Sequence, residues 1–107
     1  MTSTLNDIEL RPEVIRLLGQ NIYIRYLPEE GGMQELGLSH LQSQRIDIRE
    51  GQQAYEERDT LLHETLHFCS HLMEADLDER QVTVITHALM AVFQDNQEFA
   101  QYITEKI

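Results

Sequence analysis

His63-Glu64-Thr65-Leu66-His67 constrains this chain more than any other stretch. Histidines four residues apart share one face of a helix, with Cβ atoms about 5–6 Å apart. Two imidazoles so placed can grip one Zn²⁺ through bonds of roughly 2.0–2.1 Å. Glu64 follows the first histidine directly, so it can flank the metal without ligating it and take a proton from a water activated there. Leu61, Leu62, Leu66, Cys69, Leu72 and Met73 recur around the motif at helical spacing. The motif therefore sits on a helix that packs against something. The competing reading is an amphipathic helix whose histidines are merely half-buried.

A chain of 107 residues makes one domain, 1–107, with a modest core. A formal net charge of −11 repels phosphate backbones, so nucleic acid is not an expected partner. No apolar run is long enough to cross a bilayer. Met1 to Leu10 lacks a basic start followed by an apolar stretch, so no secretory signal is expected. The lone Cys69 cannot form an internal disulfide, which fits a reducing compartment, the cytoplasm.

Along the chain, residues 1–11 are polar and expected to be loosely held. Glu13 to Leu18 reads as strand or helix, and Gly19-Gln20-Asn21 as a turn. Ile22 to Leu27 is a strand ended by Pro28, pairing with the preceding segment as a hairpin. Glu29 to Gly32 is a loop. Leu38 to Leu41 and Gln44 to Arg49 follow, separated by Gln42-Ser43. Ile46 and Ile48 alternate with Asp47 and Arg49 as in a half-exposed strand, which puts Asp47 and Arg49 on its solvated side. The period is helical from about Gln52 to Met73. Glu74 to Asp78 is a connection. Val82, Ile85, Leu89, Val92 and Phe93 mark a second helix, ended at Asp95-Asn96. Phe99, Tyr102, Ile103 and Ile107 mark a short third. The fold class expected is α+β in one domain.

Thr60 to His67, preceded by Gln44-Arg45-Ile46-Asp47-Ile48, resembles the short zinc metallopeptidase-like proteins of bacteria and phages. Leu77-Asp78-Glu79, Val82, Leu89 and Phe93-Gln94-Asp95-Asn96 continue the likeness, which spans about Val14 to Ile103. In this the chain is similar to the minigluzincins, compact peptidases of the gluzincin type. The resemblance implies a minimal zincin-like domain: a small antiparallel sheet packed on an active-site helix, and a following helix that brings a glutamate to the metal. It carries His63 and His67 across as ligands of one Zn²⁺ and Glu64 as general base. The chain does not resemble a metzincin, which would have glycine at Ser70 and histidine at Met73.

For the third ligand the resemblance favours Glu79, at the start of the second helix, giving a His₂Glu site with a position open to water. Glu79 can equally serve the helix N-terminus, where a carboxylate is favoured. His87 is the rival. In regular antiparallel helices rising ~1.5 Å per residue it would lie level with His67, unless the first helix ends early or the connection folds back. His87 could instead donate to a developing oxyanion or be a partly buried polar residue. His71 continues the stripe but has drifted round the helix, so it should miss the metal. Cys69 reads as a buried core thiol and His40 as a plain loop or strand residue. The strand Gln44 to Arg49 is either the edge strand that pairs with an extended peptide or an internal one.

These readings make a zinc-dependent peptidase acting on a peptide or protein substrate, with no membrane partner. The alternative is a non-catalytic protein-binding module whose metal is structural or absent. Metal-assisted hydrolysis of a non-peptide amide is a third option. Tyr102 to Ile107 is near enough in sequence to the second helix to cover the cleft, as a self-inhibitory segment would.

Overall fold

Leu18 and Gly19 turn the chain with φ of 49° and 83°. Two consecutive left-handed residues make the tight turn that suits a twisted hairpin, and glycine takes one of them without Cβ strain. The turn joins β1, Val14–Leu17, to β2, Gln20–Leu27, with Leu17 opposite Gln20 in antiparallel register. The segment left open between strand and helix is thus the first strand of the expected hairpin. The computed structural model describes residues 10–29 and 33–105. Residues 1–9 of the segment expected to be loose, and 30–32 of the loop expected after Pro28, lie outside the described residues.

Arg11, at the end of that first segment, is firmly held. Its guanidinium donates to both carboxylate oxygens of Glu57, at 2.5 and 3.0 Å, and to Glu50 at 3.2 Å. It also lies 4.0 Å from the centre of the Tyr26 ring. The Tyr26 hydroxyl donates to the carbonyl of Pro12 at 2.7 Å. Burial is the main reason that phenol is pushed up to about 12. Arg11 itself departs from the expected looseness, because a bidentate carboxylate anchors the chain there.

β3, Gly37–His40, and β4, Arg45–Arg49, form a second antiparallel pair, and β4 also lies parallel to β2. The sheet order is β1-β2-β4-β3. The chain is α+β as expected, but its sheet is mixed rather than antiparallel. Burial explains the placement of β4: residues 46–48 are all buried, which only a central strand covered on both faces allows. The strand Gln44 to Arg49 is accordingly internal, and the edge strand beside the helices is β3.

Ile22, Ile24, Ile46 and Ile48 line the inner face, where Phe68 packs on them. Each such side chain, fully buried, contributes about 1.5–3 kcal/mol. On the outer face Asp47 is only 4% exposed. It accepts hydrogen bonds from Arg25 at 3.0 and 3.1 Å, from Arg45 at 3.1 Å and from His40 at 2.8 Å. The expectations of a solvated Asp47 and an unremarkable His40 are corrected here. Arg49 is half-buried and donates to the carbonyl of Gln34. Alternation identified the face, but side chains from β2 and β3 close over it.

α1, Ala54–Leu72, carries the motif. Its buried residues Thr60, Glu64 and Phe68 recur every four positions, so this stripe faces the sheet. α2, Glu79–Asp95, packs against α1 and buries Val82, Thr86 and Met90 at the same spacing. α3, Gln97–Thr104, packs on α2. Among the described residues no helix is long and apolar enough to cross a membrane.

Candidate metal centre

The site begins with the connection after α1. Glu74 and Asp76 take φ of 53° and 54°, two left-handed residues that double the chain back. Ser70, itself buried, holds this reversal: its carbonyl accepts from Ala75 N–H at 2.9 Å and its hydroxyl oxygen from Leu77 N–H at 2.8 Å. α2 therefore starts beside the C-terminal half of α1. The estimate that set His87 level with His67 assumed a connection that runs on. His87 instead lies 3.6 Å from Asp59, well up α1 from the motif.

Asp78 caps α2. Its carboxylate accepts from Gln81 N–H at 2.7 Å, and the Gln81 side chain accepts from Asp78 N–H at 2.9 Å. This reciprocal pair satisfies the helix start. Glu79 stands in the first turn, where the helix dipole favours a carboxylate as considered for it, and it also turns toward α1. Its Oε1 lies 2.7 Å from His63 Nε2, and its Oε2 lies 3.1 Å from His67 Nε2. The two Nε2 atoms are 3.2 Å apart.

His63, His67 and Glu79 could hold a metal ion: each offers one ligand atom, and these atoms all lie within 4.8 Å of one another. Donors about 2.0–2.1 Å from a tetrahedral ion stand roughly 3.3 Å apart, close to the separations found here. A proton on one Nε2 satisfies one of these contacts at a time. A single cation between the three atoms satisfies all of them. The donor set therefore fits a metal. Burial pushes the Glu79 carboxyl up, but the hydrogen bond and charge of His63, together with His67, outweigh it and hold the group below its ordinary value.

Glu64 stands beside this group and outside it. It is 8% exposed, set in the sheet-facing stripe between Thr60 and Phe68. Its Oε2 is 4.0 Å from His63 Nε2, and its Oε1 accepts a hydrogen bond from Ser39 Oγ on β3 at 2.6 Å. Sequence reasoning missed Ser39, and Gly37 with it. A Cβ at Gly37 would stand 2.5 Å from Thr60 Cγ2 and 3.0 Å from Glu64 Cγ, so β3 packs against α1 only because position 37 lacks a side chain. A serine and a glycine in and beside a segment left unassigned gave no hint of this partner.

A cleft of about 840 Å³ opens beside the group, between β3 and the reversal after α1. Glu64, His67, Glu79 and Ser39 line it. His71 also lines it and, as expected, is not part of the three-residue group. Cys69 is half-buried rather than fully so, and burial pushes its thiol up, away from the thiolate that a ligand needs. α3 contributes no side chain to the cleft wall, and Tyr102 is 77% exposed. The covering role considered for the C-terminal segment is not found among the described residues; Lys106 and Ile107 lie outside them. No protein-family model, curated protein or solved structure matches this chain.

Proposed function

We propose that this chain is a zinc-dependent peptidase of the minimal zincin-like type, similar to the minigluzincins. The observation that carries the reading is the division of labour among four side chains. His63, His67 and Glu79 converge their donor atoms, while Glu64 is held next to them without joining. A purely structural site has no need of a buried carboxylate placed in this way.

His63, His67 and Glu79 would hold the zinc, which when bound lowers the pKa of water and polarises a carbonyl. Glu64 would remove the attacking water's proton and pass it to the leaving amine. Its burial serves this role, because a carboxylate shielded from bulk water keeps its proton exchange within the cleft. A polypeptide substrate would lie in the cleft that Ser39 and His67 line. The net charge of −11 disfavours phosphate-bearing substrates.

The test is hydrolysis of casein and of quenched fluorescent peptides by protein purified without chelator and loaded with one equivalent of zinc. Cleavage should stop on chelation and return with zinc. Glu64→Gln should retain zinc and lose about 10²–10⁴-fold in rate. Loss of zinc from Glu64→Gln would make Glu64 a ligand. Unchanged turnover would remove it as the base. A wild type that binds zinc and cleaves nothing favours the non-catalytic binding module instead.

A further inference from the structure

We propose that Ser39 is a positioning residue that keeps Glu64 out of the metal's coordination shell. The inference rests on the peptidase reading above and adds a residue to that site. A glutamate next to a ligating histidine has two available fates. It can serve as a base beside the ion, or it can swing in as a further ligand and close the position a water must occupy. A dication attracts a carboxylate strongly, so the first fate requires something to hold the side chain back.

β3 supplies that hold. Ser39 Oγ lies 2.6 Å from Glu64 Oε1 and 3.1 Å from the Glu64 carbonyl, so its single proton is directed into this one residue. Ser39 is paired with Ile46 in the sheet, so the strand fixes the backbone from which the hydroxyl reaches the carboxylate. Gly37, on the same face of β3, leaves the space in which Glu64 Cγ lies. Thr60 and Phe68 bury the same stripe of α1 on either side. The carboxylate is thus drawn toward the sheet while Oε2 stays 4.0 Å from His63 Nε2.

The experiment compares metal coordination in the 107-residue chain, using Co²⁺ as a visible probe and Zn²⁺ affinity by chelator competition. Wild type and Ser39→Thr, which keeps the hydroxyl, should share one Co²⁺ spectrum. Ser39→Ala should show a changed d–d spectrum, bind Zn²⁺ roughly tenfold more tightly and cleave peptides roughly 10–100-fold more slowly. The double variant Ser39→Ala/Glu64→Gln should return to the wild-type spectrum, because no carboxylate remains to enter the shell. Ser39→Cys, a weak donor of similar size, should move in the same direction by less, and replaces Ser39→Ala if that variant fails to fold. An unchanged spectrum and affinity in Ser39→Ala overturns the proposal, as does a change that persists in the double variant. A wild type that takes up neither metal overturns it together with the metal site. A wild type that binds metal but cleaves nothing overturns the peptidase reading alone, and the spectra then still decide the role of Ser39.

Discussion

The carboxylate of Asp47, on the outer face of the sheet, is met by Arg25, Arg45 and His40. The carboxylates of Glu64 and Glu79, on the helical side, are met by a hydroxyl and two imidazoles. Both regions gather acidic groups and histidine in a few ångströms, yet they are balanced in opposite ways. A carboxylate withdrawn from water needs compensating charge or hydrogen bonds. Asp47 has its cations built in, so its cluster is complete as an ion-pair network. The helical cluster has a buried carboxylate in Glu64 and an exposed one in Glu79, and the donor atoms of His63, His67 and Glu79 face one another in an arrangement that could hold a metal ion. The lesson is that the chemistry of a cluster is read from its charge sum and from where its lone pairs point, rather than from the residue types present.

The sharpest way to break this contrast is to exchange ligands. Glu79→Ala should weaken zinc binding by more than about 100-fold, or roughly 2.7 kcal/mol. Asp78→Ala, which removes the cap alone, should leave affinity within a few-fold and cost about 1 kcal/mol of stability. His87→Ala should leave zinc affinity unchanged, since that ring faces Asp59. Chelator competition at fixed pH, with circular dichroism on each variant, reads all three. A three-histidine site would reverse the order of Glu79 and His87.

The outer cluster should respond in the complementary way. Asp47→Ala removes the acceptor shared by Arg25, Arg45 and His40, and should lower stability in a denaturant titration. Zinc affinity should be unaffected, because the sheet separates the two clusters. A large loss of zinc binding in this variant would show that the two faces are not independent.

Acid sharpens the comparison with a smaller effect. Burial alone would raise the Asp47 carboxyl, but hydrogen bonds from Arg25, His40 and Arg45 overcome it and hold the group below its ordinary value of 3.8. A carboxyl lowered in the folded chain contributes stability that is present above its unfolded value and is lost as pH falls through its folded value. Metal-free wild type should therefore lose stability below about pH 4 more steeply than Asp47→Asn. Parallel acid limbs for the two proteins would remove Asp47 from the account.

Much of the helical layer was legible because its signals are local. The four-residue spacing of His63 and His67, the apolar period around them and the start of α2 near Glu79 all lie within a few turns of helix. The sheet was harder. The alternation at Ile46 and Ile48 says which side chains share a face, and nothing about whether Arg25 and His40 will cover the other one. It likewise does not reveal that β4 pairs in parallel with β2. The hydrogen bond from Ser39 to Glu64 spans 25 positions in sequence, and no periodicity encodes such a contact. His87 seemed level with His67 because a rise per residue assumes an open connection. Two left-handed non-glycine residues, Glu74 and Asp76, shorten it, and side chains of those types do not announce that conformation.

The peptidase proposal stands on His63, His67 and Glu79 binding one zinc ion together. Isothermal titration of metal-free protein with Zn²⁺, read beside thermal unfolding, tests it most directly. One ion per chain is expected, and at 100 times Kd about 2.7 kcal/mol of added stability. His63→Ala, His67→Ala and Glu79→Ala should each lose most of that gain, while Asp47→Asn keeps it. A wild-type chain that takes up no zinc, or one whose zinc binding survives both histidine substitutions, would contradict it.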